Sequence, residues 1–325
     1  MNAIQNKKRA LSMGLIFKLS QIGFALRSTL CYTNRINVGI HDYAEYVAQL
    51  REGDSIFIST KETNVSIPTI VAILRARNIR VIFYIMEEPI VSWEIVERLI
   101  PVSIQIFIQN NIYDHPKIHI MPIGIRDCGS IVAMHRRFDQ RYLLEKGVSI
   151  RTSLGANVRP INCLLCFTVW AFIPSRNECY DLFSNAPFVY NLNDDPSPDM
   201  REVREKRNTA KFFYEKVPET VVYEKTLQSR YALCPPGYGP DTHRFYECIY
   251  LGCIPIVVRT NTVFDRLYAP RTGFPCLVVE RWEDVTEELL NQSYPACFSI
   301  LKEFHAKYPR FLTDLDSMDG LLNGL

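Results

Sequence analysis

The amino-acid sequence predicts an α/β protein of two domains, each built on a parallel sheet, with the two sheets meeting at a cleft. Its 325 residues are enough for two domains of about 150 residues each. Apolar residues make up 47% of the chain and charged residues 22%, which is typical of a folded globular protein and excludes disorder as the main state. In both halves, short continuous apolar runs alternate with helical stretches, as parallel strands covered on both faces do.

The balance of charges limits the partners that the chain can attract. There are 37 Lys and Arg residues against 35 Asp and Glu residues, which gives a formal net charge of +2. A chain with so little net charge has no global field that draws it to nucleic acid or to acidic lipid. We therefore expect no nucleic-acid partner, and any site for an anion must be local.

The N-terminal domain is predicted to span residues 1–155. Strands are expected at DSIFIST, RVIFYIM, SIQIFIQN and HIMPIGI, with helices at VSIPTIVAILRARN and SWEIVERLI. Open α/β sheets bind ligands at the carboxyl ends of their strands. Three carboxylates follow the first two strands: Glu62 comes after DSIFIST, and Glu87 and Glu88 come after RVIFYIM. They are the candidate catalytic residues of this domain.

The C-terminal domain is predicted to span residues 156–325, after a polar and basic stretch that ends near Arg159. Its pattern restarts with a strand at NCLLCFTVWAF and a helix at NECYDLF. The β-rich runs VVYE, RYALC, CIPIVV and PCLVVE follow, with a helix between RYALC and CIPIVV. A mostly helical tail runs from Val285 to Phe311, and the last helices are candidates to pack back on the first domain.

The segment from Arg230 to Val258 says the most about chemistry. RYALC is typical of a strand, PPGYGP cannot continue a regular element, Asp241 or Thr242 can cap a helix, and Gly252 can end it. The segment is therefore a strand, a glycine-bearing loop, a helix and a second strand. Such a loop leads into a helix N-terminus, where free N–H groups and the positive end of the helix dipole suit a diphosphate.

Four residues of this segment are suited to a phosphorylated ligand. Gly237 and Gly239 allow a ligand to come close to the backbone. Arg244 lies in the first turn of the helix and Glu247 one turn later, on roughly the same face. A guanidinium can bind phosphate oxygens as a fork, and a carboxylate can accept two hydrogen bonds from ribose hydroxyls. The same spacing is typical of a surface ion pair, worth roughly a few tenths of a kcal/mol, and this alternative stays open.

The same run resembles the donor-binding signature of the exostosin family of glycosyltransferases, which has a P-x-G loop, then R-F-x-E, then C-x-P-[IV]. The resemblance continues to about Leu290 through PCLVVERWEDVTEELL, while the first half matches only in architecture. It implies a GT-B-like fold of two Rossmann-like domains facing a cleft, a nucleotide-diphosphate-sugar donor held by the C-terminal domain, and inversion at the anomeric carbon. The residues that match are Pro236, Gly237, Arg244, Phe245, Glu247, Gly252, Cys253, Pro255 and Ile256.

The resemblance also implies which residues hold the donor. In that family an arginine in the loop after the first strand of the donor domain reaches the donor phosphates, and Arg176 fits this role. Tyr238 is a candidate to stack on the base or on the sugar. The expected donor-binding set is Arg176, Pro236, Gly237, Tyr238, Gly239, Asp241, Thr242, Arg244 and Glu247.

The predicted function is a hexosyl- or pentosyltransferase that moves a sugar from a nucleotide-diphosphate donor, with UDP favoured, to a hydroxyl group of a glycan or glycoconjugate acceptor. An inverting transfer needs a general base that takes the proton of the acceptor hydroxyl. Glu87, Glu88 and Glu62 are the candidates, with Glu87 preferred. The alternatives are a non-catalytic nucleotide- or glycan-binding relative, or a dinucleotide-dependent oxidoreductase, whose glycine fingerprint fails at Thr242.

No cofactor and no dedicated metal site are expected, because the D-x-D pattern of metal-using exostosins is absent and Asp194-Asp195-Pro196 has the wrong spacing. The sequence favours a soluble, cytoplasmic protein. Lys18 interrupts the apolar stretch near the N-terminus, and a membrane span needs about 20 nearly uninterrupted apolar residues. The alternative is a protein of the Golgi or ER lumen held by a short N-terminal anchor, so membrane association is left open.

Overall fold

The chain forms two α/β units in a computed structural model. The first unit contains the described residues up to position 124, and the second contains those from position 159 onward. The predicted boundary at residue 155 and the predicted packing of the end of the chain lie outside the described residues. The structure describes residues 30–32, 43–59, 67–86, 90–124, 159–169, 173–194, 217, 219–237, 239–259 and 274–307.

The first unit is built on a five-stranded sheet in which every neighbouring pair of strands is parallel and the order is β1-β2-β3-β4-β5. Its strands are β1 (Leu30–Tyr32), β2 (Ser55–Ser59), β3 (Val81–Met86), β4 (Ser103–Gln109) and β5 (Ile118–Met121). Its helices are α1 (Tyr43–Val47), α2 (Ile67–Ala76) and α3 (Trp93–Leu99), with a 3₁₀ turn at Ile100–Val102.

A large hydrophobic cluster of the first unit lies on one face of this sheet. Helix α2 buries four apolar residues at helical spacing, and α3 adds Val96 and Leu99. Alternate residues of the strands complete the cluster, because successive side chains of a strand point to opposite faces. The strand members are Ile56, Ile58, Val81, Phe83, Ile85, Ile106, Ile108 and Ile118.

The second unit is built on another five-stranded parallel sheet, with the order β10-β9-β8-β6-β7. Its strands are β6 (Ile161–Leu165), β7 (Val189–Asn191), β8 (Ser229–Leu233), β9 (Ile254–Val258) and β10 (Leu277–Val279). Its helices are α4 (Pro174–Phe183), α5 (Glu219–Leu227), α6 (His243–Tyr250) and α7 (Glu287–Lys307), with 3₁₀ turns at Leu192–Asp194 and Trp282–Asp284.

The strand order of the second unit reverses direction at β6. From β6 the chain moves to β7 on one side, and it then returns to β8 on the other side. This is the 2-1-3-4-5 order of doubly wound sheets, in which ligands bind outside the carboxyl ends of the two strands that flank the reversal. The predicted fold class, α/β with two Rossmann-like units, is confirmed.

Helix α6 is held at its end and on its sides. Gly252, with φ of 71°, follows the last turn as predicted, and Cys253 N donates to Cys248 O at 2.8 Å, which gives a Schellman-type end. The last six residues of the helix are all buried. His305 of α7 contacts Ile249 O through Nε2 at 2.8 Å. The position of α6 against its sheet is therefore strongly constrained.

The structure contains β1, α1 and β7, which the sequence does not predict, and it differs from three of the predicted elements. The strand predicted over NCLLCFTVWAF ends at Leu165, because neither β7 nor β8 continues beside it. Helix α4 begins at Pro174, a residue suited to the first helical turn, so Arg176 lies in that turn and not in the preceding loop. The β-branched run VVYE belongs to helix α5. Within the described ranges, no helix combines the length and apolarity that crossing a bilayer requires.

Candidate functional site

The candidate site lies at the carboxyl ends of β6 and β8, the two strands that flank the reversal of strand order. Arg176, in the first turn of α4, joins the loops that follow these strands. Its Nε donates to Pro236 O at 3.1 Å, and its Nη1 donates to Thr168 O at 3.3 Å. One guanidinium thus fixes the distance between the two loops.

Gly237 gives Arg176 the space that it occupies. A Cβ atom at Gly237 would lie 3.1 Å from Nη2 of Arg176, which is closer than most real contacts of this kind. The amide of Gly237 donates to Gly239 O at 3.0 Å. The guanidinium of Arg176 therefore lies close over Gly237 and leaves little room for a Cβ atom there.

Arg244 connects helix α6 to the carboxyl end of β6. Its Nη2 donates to Cys166 O at 3.1 Å, and Cys166 Sγ lies 3.6 Å away. Burial raises the pKa of the Cys166 thiol, although the nearby Arg244 partly opposes this. Cys166 is therefore a neutral neighbour, and it does not balance the positive charge of Arg244.

The second terminal nitrogen of Arg244 is buried and has no hydrogen-bond partner in the part of the chain that the structure describes. The nearest carboxylate atom is Glu247 Oε2 at 4.0 Å, too far for a hydrogen bond. The two side chains are only 20% and 10% exposed. Arg244 and Glu247 therefore form the i,i+3 ion pair that the alternative describes, but the pair is largely buried and does not lie on the surface. What remains is a largely buried cation with one unmet donor, beside a largely buried carboxylate.

The N-terminus of α6 faces the same edge of the sheet. Thr242 occupies the N-cap position with extended backbone angles, and its side chain makes no capping hydrogen bond. Asp241, 4% exposed, accepts a hydrogen bond from Tyr246 Oη at 2.9 Å. Asp241 is thus tied to the helix that follows it, which fixes the path of the loop into the helix.

Several predicted site residues come together at this edge, and others lie outside the described residues. Arg176, Pro236, Gly237 and Arg244 meet around the loops after β6 and β8. Gly239 is buried in the same loop. Tyr238 lies outside the described residues, as do the predicted catalytic carboxylates Glu62, Glu87 and Glu88.

Sequence reasoning missed three partners at this edge. The carbonyl groups of Cys166 and Thr168 hold the two arginines, and the hydroxyl of Tyr246 holds Asp241. The sequence places Cys166 and Thr168 directly after an apolar strand, which is where groups of a ligand site are expected. Their contacts with the two arginines can be predicted only once β6 is known to lie beside β8.

The acidic residues of the described part of the chain do not form a metal centre there, since no group of three or more His, Cys, Asp or Glu residues among them is arranged to hold an ion. Asp194 accepts a hydrogen bond from Asn191 Nδ2 at 2.6 Å. Asp195 and Pro196 lie outside the described residues. Metal independence remains a prediction.

No protein-family model and no curated protein matches the sequence. Among solved structures, an alpha-glucosyltransferase in complex with UDP and a 13-mer DNA is 14% identical, with 87% of this chain and 83% of that chain covered and a TM-score of 0.39. An E. coli structure described as trehalose-6-phosphate bound with UDP-2-fluoro glucose is 12% identical, with 87% and 74% covered and a TM-score of 0.40.

A UDP-N-acetylglucosamine 2-epimerase is also 12% identical, with 80% of this chain and 69% of that chain covered and a TM-score of 0.34. These likenesses are weak both in identity and in superposition. The fold class rests on the strand order described above, and the site rests on its own geometry.

Proposed function

We propose that the protein is a glycosyltransferase that binds a nucleotide-diphosphate sugar at the carboxyl ends of β6 and β8 and transfers the sugar to a hydroxyl group of a glycan acceptor. The observation that carries the proposal is the unmet donor of Arg244, buried beside the uncapped N-terminus of α6. A guanidinium nitrogen without a partner costs free energy unless a ligand supplies an acceptor. The resemblance of this segment to the exostosin signature supports a nucleotide sugar as that ligand.

The diphosphate is the part of the donor that this arrangement suits best. Nη1 of Arg244 and the first N–H groups of α6 are donors, and the helix dipole adds positive potential. Arg176, one loop away, contributes a second positive charge. Hydrogen bonds to charged groups contribute about 1.5–3 kcal/mol each, so two or three of them account for micromolar binding of a nucleoside diphosphate.

Glu247 is the proposed partner of the ribose. It is 8% exposed and lies one helical turn beyond Arg244. A carboxylate accepts hydrogen bonds and cannot donate them, so it suits the two adjacent hydroxyls of a ribose. Its 4.0 Å separation from Arg244 Nη1 lets both groups take separate parts of one ligand. UDP is the favoured donor nucleotide.

The transfer proposed is a single displacement with inversion. The acceptor oxygen forms a bond to the anomeric carbon while the bond from that carbon to the diphosphate breaks, and a carboxylate takes the acceptor proton. Negative charge then accumulates on the departing diphosphate. Arg244, Arg176 and the N-terminus of α6 stabilise that charge without a metal ion.

Calorimetric titration of the full chain with UDP, GDP, their nucleosides and NAD tests the binding proposal. We expect a nucleoside diphosphate, UDP in preference to GDP, to bind much more tightly than either nucleoside. Preferential binding of NAD would favour a dinucleotide enzyme. Absence of binding by both diphosphates would contradict the proposed function.

Turnover distinguishes an enzyme from a binding relative. We expect release of nucleoside diphosphate from at least one UDP-hexose or UDP-pentose when sugar acceptors are supplied, measured by coupled UDP detection. Tight binding of the donor without any release would show a non-catalytic nucleotide-binding protein.

A further inference from the structure

A second group of buried polar atoms that have no hydrogen-bond partner among the described residues lies in the first unit. Gln109, the last residue of β4, is 0% exposed. Both its Nε2 and its Oε1 lack a hydrogen-bond partner among the residues that the structure describes. Buried polar atoms of native proteins are nearly always hydrogen-bonded, so an entire unpaired amide marks a position where a polar molecule can supply the missing partners.

The position of Gln109 places it at the ligand-binding edge of its sheet. The core cluster takes Ile106 and Ile108 of β4, so strand alternation puts Phe107 and Gln109 on the opposite face. Across the sheet, Gln109 pairs in register with Met121, the last residue of β5. Carboxyl ends of parallel strands are where open α/β sheets bind ligands.

The loop after Gln109 is built to hold its conformation. Asn110 has a positive φ of 53°, which costs free energy in a residue with a Cβ and occurs often at ligand sites. Asn111 satisfies its own amide, because its Oδ1 accepts from Tyr113 N at 2.8 Å and its Nδ2 donates to Tyr113 O at 3.2 Å. Tyr113 Oη in turn donates to Val91 O at 2.5 Å. The unpaired amide of Gln109 therefore lies next to an ordered, hydrogen-bonded loop.

His119 places another unpaired nitrogen on the same face. It pairs in register with Phe107, its Nε2 is buried, and no partner for that atom occurs in the described segments. Its ring lies 5.2 Å from that of Phe107, which lies 5.2 Å from that of Tyr84. Burial lowers the pKa of His119, so the imidazole is neutral near pH 7 and can donate or accept.

We propose that Gln109 and His119 form a binding site for the hydroxyl groups of the acceptor sugar. The inference rests on the proposed function and names the residues that recognise its acceptor. A carboxamide presents a donor and an acceptor side by side, and each sugar hydroxyl is both. The described residues of this face carry no charged side chain, so the site suits a neutral polyol and not a phosphate. Besides Gln109 and His119, the described residues toward the carboxyl edge of this face are Phe57, Tyr84, Met86, Phe107 and Met121.

The test compares Gln109→Met with Gln105→Met, a matched change on the same strand and face at an exposed position. Binding of a panel of p-nitrophenyl hexosides and pentosides is measured by calorimetry, and UDP binding is measured separately. We expect Gln109→Met to weaken glycoside binding at least about tenfold and to leave UDP affinity unchanged. Its melting temperature should be equal to or above that of the wild type, because the orphaned amide is gone. Gln105→Met should change none of these.

His119→Phe gives an independent test that keeps a ring against Phe107, and it decides the matter if Gln109→Met does not fold. It too should weaken glycoside binding. Unchanged glycoside affinity in the folded variants overturns the proposal, and so does a wild-type protein that binds UDP but no member of the panel. The glycosides are titrated without a donor, so the two binding measurements are independent. Failure of UDP to bind would contradict the proposed function but would not affect the interpretation of glycoside binding.

Discussion

Arg244 is held by one of its terminal nitrogens, and the other has no hydrogen-bond partner within the described ranges, so its substitution should act mainly on a phosphate ligand. We expect Arg244→Ala to weaken UDP binding about 10- to 150-fold, because one charge-assisted hydrogen bond is lost. Uridine binding should change little, since a nucleoside has no phosphate. Calorimetric titration of both ligands measures the difference.

The control for Arg244 is Arg259→Ala, which removes an arginine of the same unit whose Nε contacts Glu280 Oε1 at 3.0 Å on the surface. It should leave UDP affinity unchanged. Arg244→Lys keeps the charge but loses the fork, so it should recover only part of the affinity. If folded Arg244→Ala binds UDP as the wild type does, the buried arginine serves only to hold α6 against Cys166.

Gly237 and Arg176 should behave as one unit. A methyl group at Gly237 would meet Nη2 of Arg176 at 3.1 Å, so Gly237→Ala should displace the guanidinium and weaken UDP binding. In an Arg176→Ala background the same change should have almost no effect. A double-mutant cycle on UDP affinity measures this coupling, expected at about 0.5–3 kcal/mol.

Equal effects of Gly237→Ala in the two backgrounds would show that the glycine serves the ligand directly, as the sequence alone suggests.

The sequence predicts which residue types gather near the loop, because glycine, arginine and glutamate have distinct chemistry. It does not predict that Arg176 fills the space over Gly237, since that contact joins the first turn of α4 to the loop after β8, which is distant in the chain.

Among the elements, helix α6 shows which features the local sequence pattern predicts and which it does not. Its start near Thr242 and its end before Gly252 follow from capping preferences, and both are confirmed. The burial of its last six residues does not follow, because it depends on what packs on each side. The hydrogen bond from Tyr246 to Asp241 depends on the same packing and could not be predicted from spacing.

Strand β5 carries an expected pH dependence through His119. Burial lowers the pKa of this imidazole, whereas in the unfolded chain it is about 6.5. The unfolded state therefore binds more protons once the pH falls below about 6.5, and folding stability is lost from there down to the lowered pKa. Urea unfolding at pH 7, 6 and 5 should give a shallower decline for His119→Phe than for the wild type.

His115→Asn is the control for this effect, because an asparagine at that position can still accept the hydrogen bond that Lys117 N donates to His115 Nδ1 at 3.1 Å. It should decline with pH as the wild type does. Identical declines in His119→Phe and the wild type would show that protonation of His119 does not contribute.

At the scale of the whole molecule, the sequence predicts that there are two α/β units but not how their strands are ordered. Apolar and β-rich runs identify β2 to β6 and β8 to β10, since each run is flanked by polar or turn-forming residues. The order depends on pairings between strands that are distant in the chain, such as β6 with β8. The reversal beside β6, which locates the candidate site, therefore required the structure.

The proposed charge stabilisation predicts that transfer does not depend on a metal ion. Arg176, Arg244 and the N-terminus of α6 supply the positive charge that a divalent cation would otherwise supply. Turnover of UDP-sugar in EDTA should therefore equal that in untreated enzyme, within about twofold. Loss of turnover on chelation that manganese restores would show that an ion is required.

Because the proposed donor contacts and the proposed base belong to different units, we expect a substitution of the base to lower turnover without changing donor affinity. The proposed donor contacts belong to the second unit, whereas Glu87 follows β3 in the first. We expect Glu87→Gln to lower turnover about 10²- to 10⁴-fold, the usual loss when positioned proton transfer is removed. Its UDP affinity should stay within about twofold of wild type, because no donor contact is altered.

Glu88→Gln and Glu62→Gln are the matched controls for this prediction. Each removes one carboxylate without changing side-chain volume: Glu88 also follows β3, and Glu62 follows the neighbouring strand β2. Successive residues in extended backbone point to opposite sides, so at most one of Glu87 and Glu88 should show the large loss. A loss in Glu88→Gln alone would move the base by one residue. Wild-type turnover in all three, measured with one identified donor and acceptor, would exclude these carboxylates as the base.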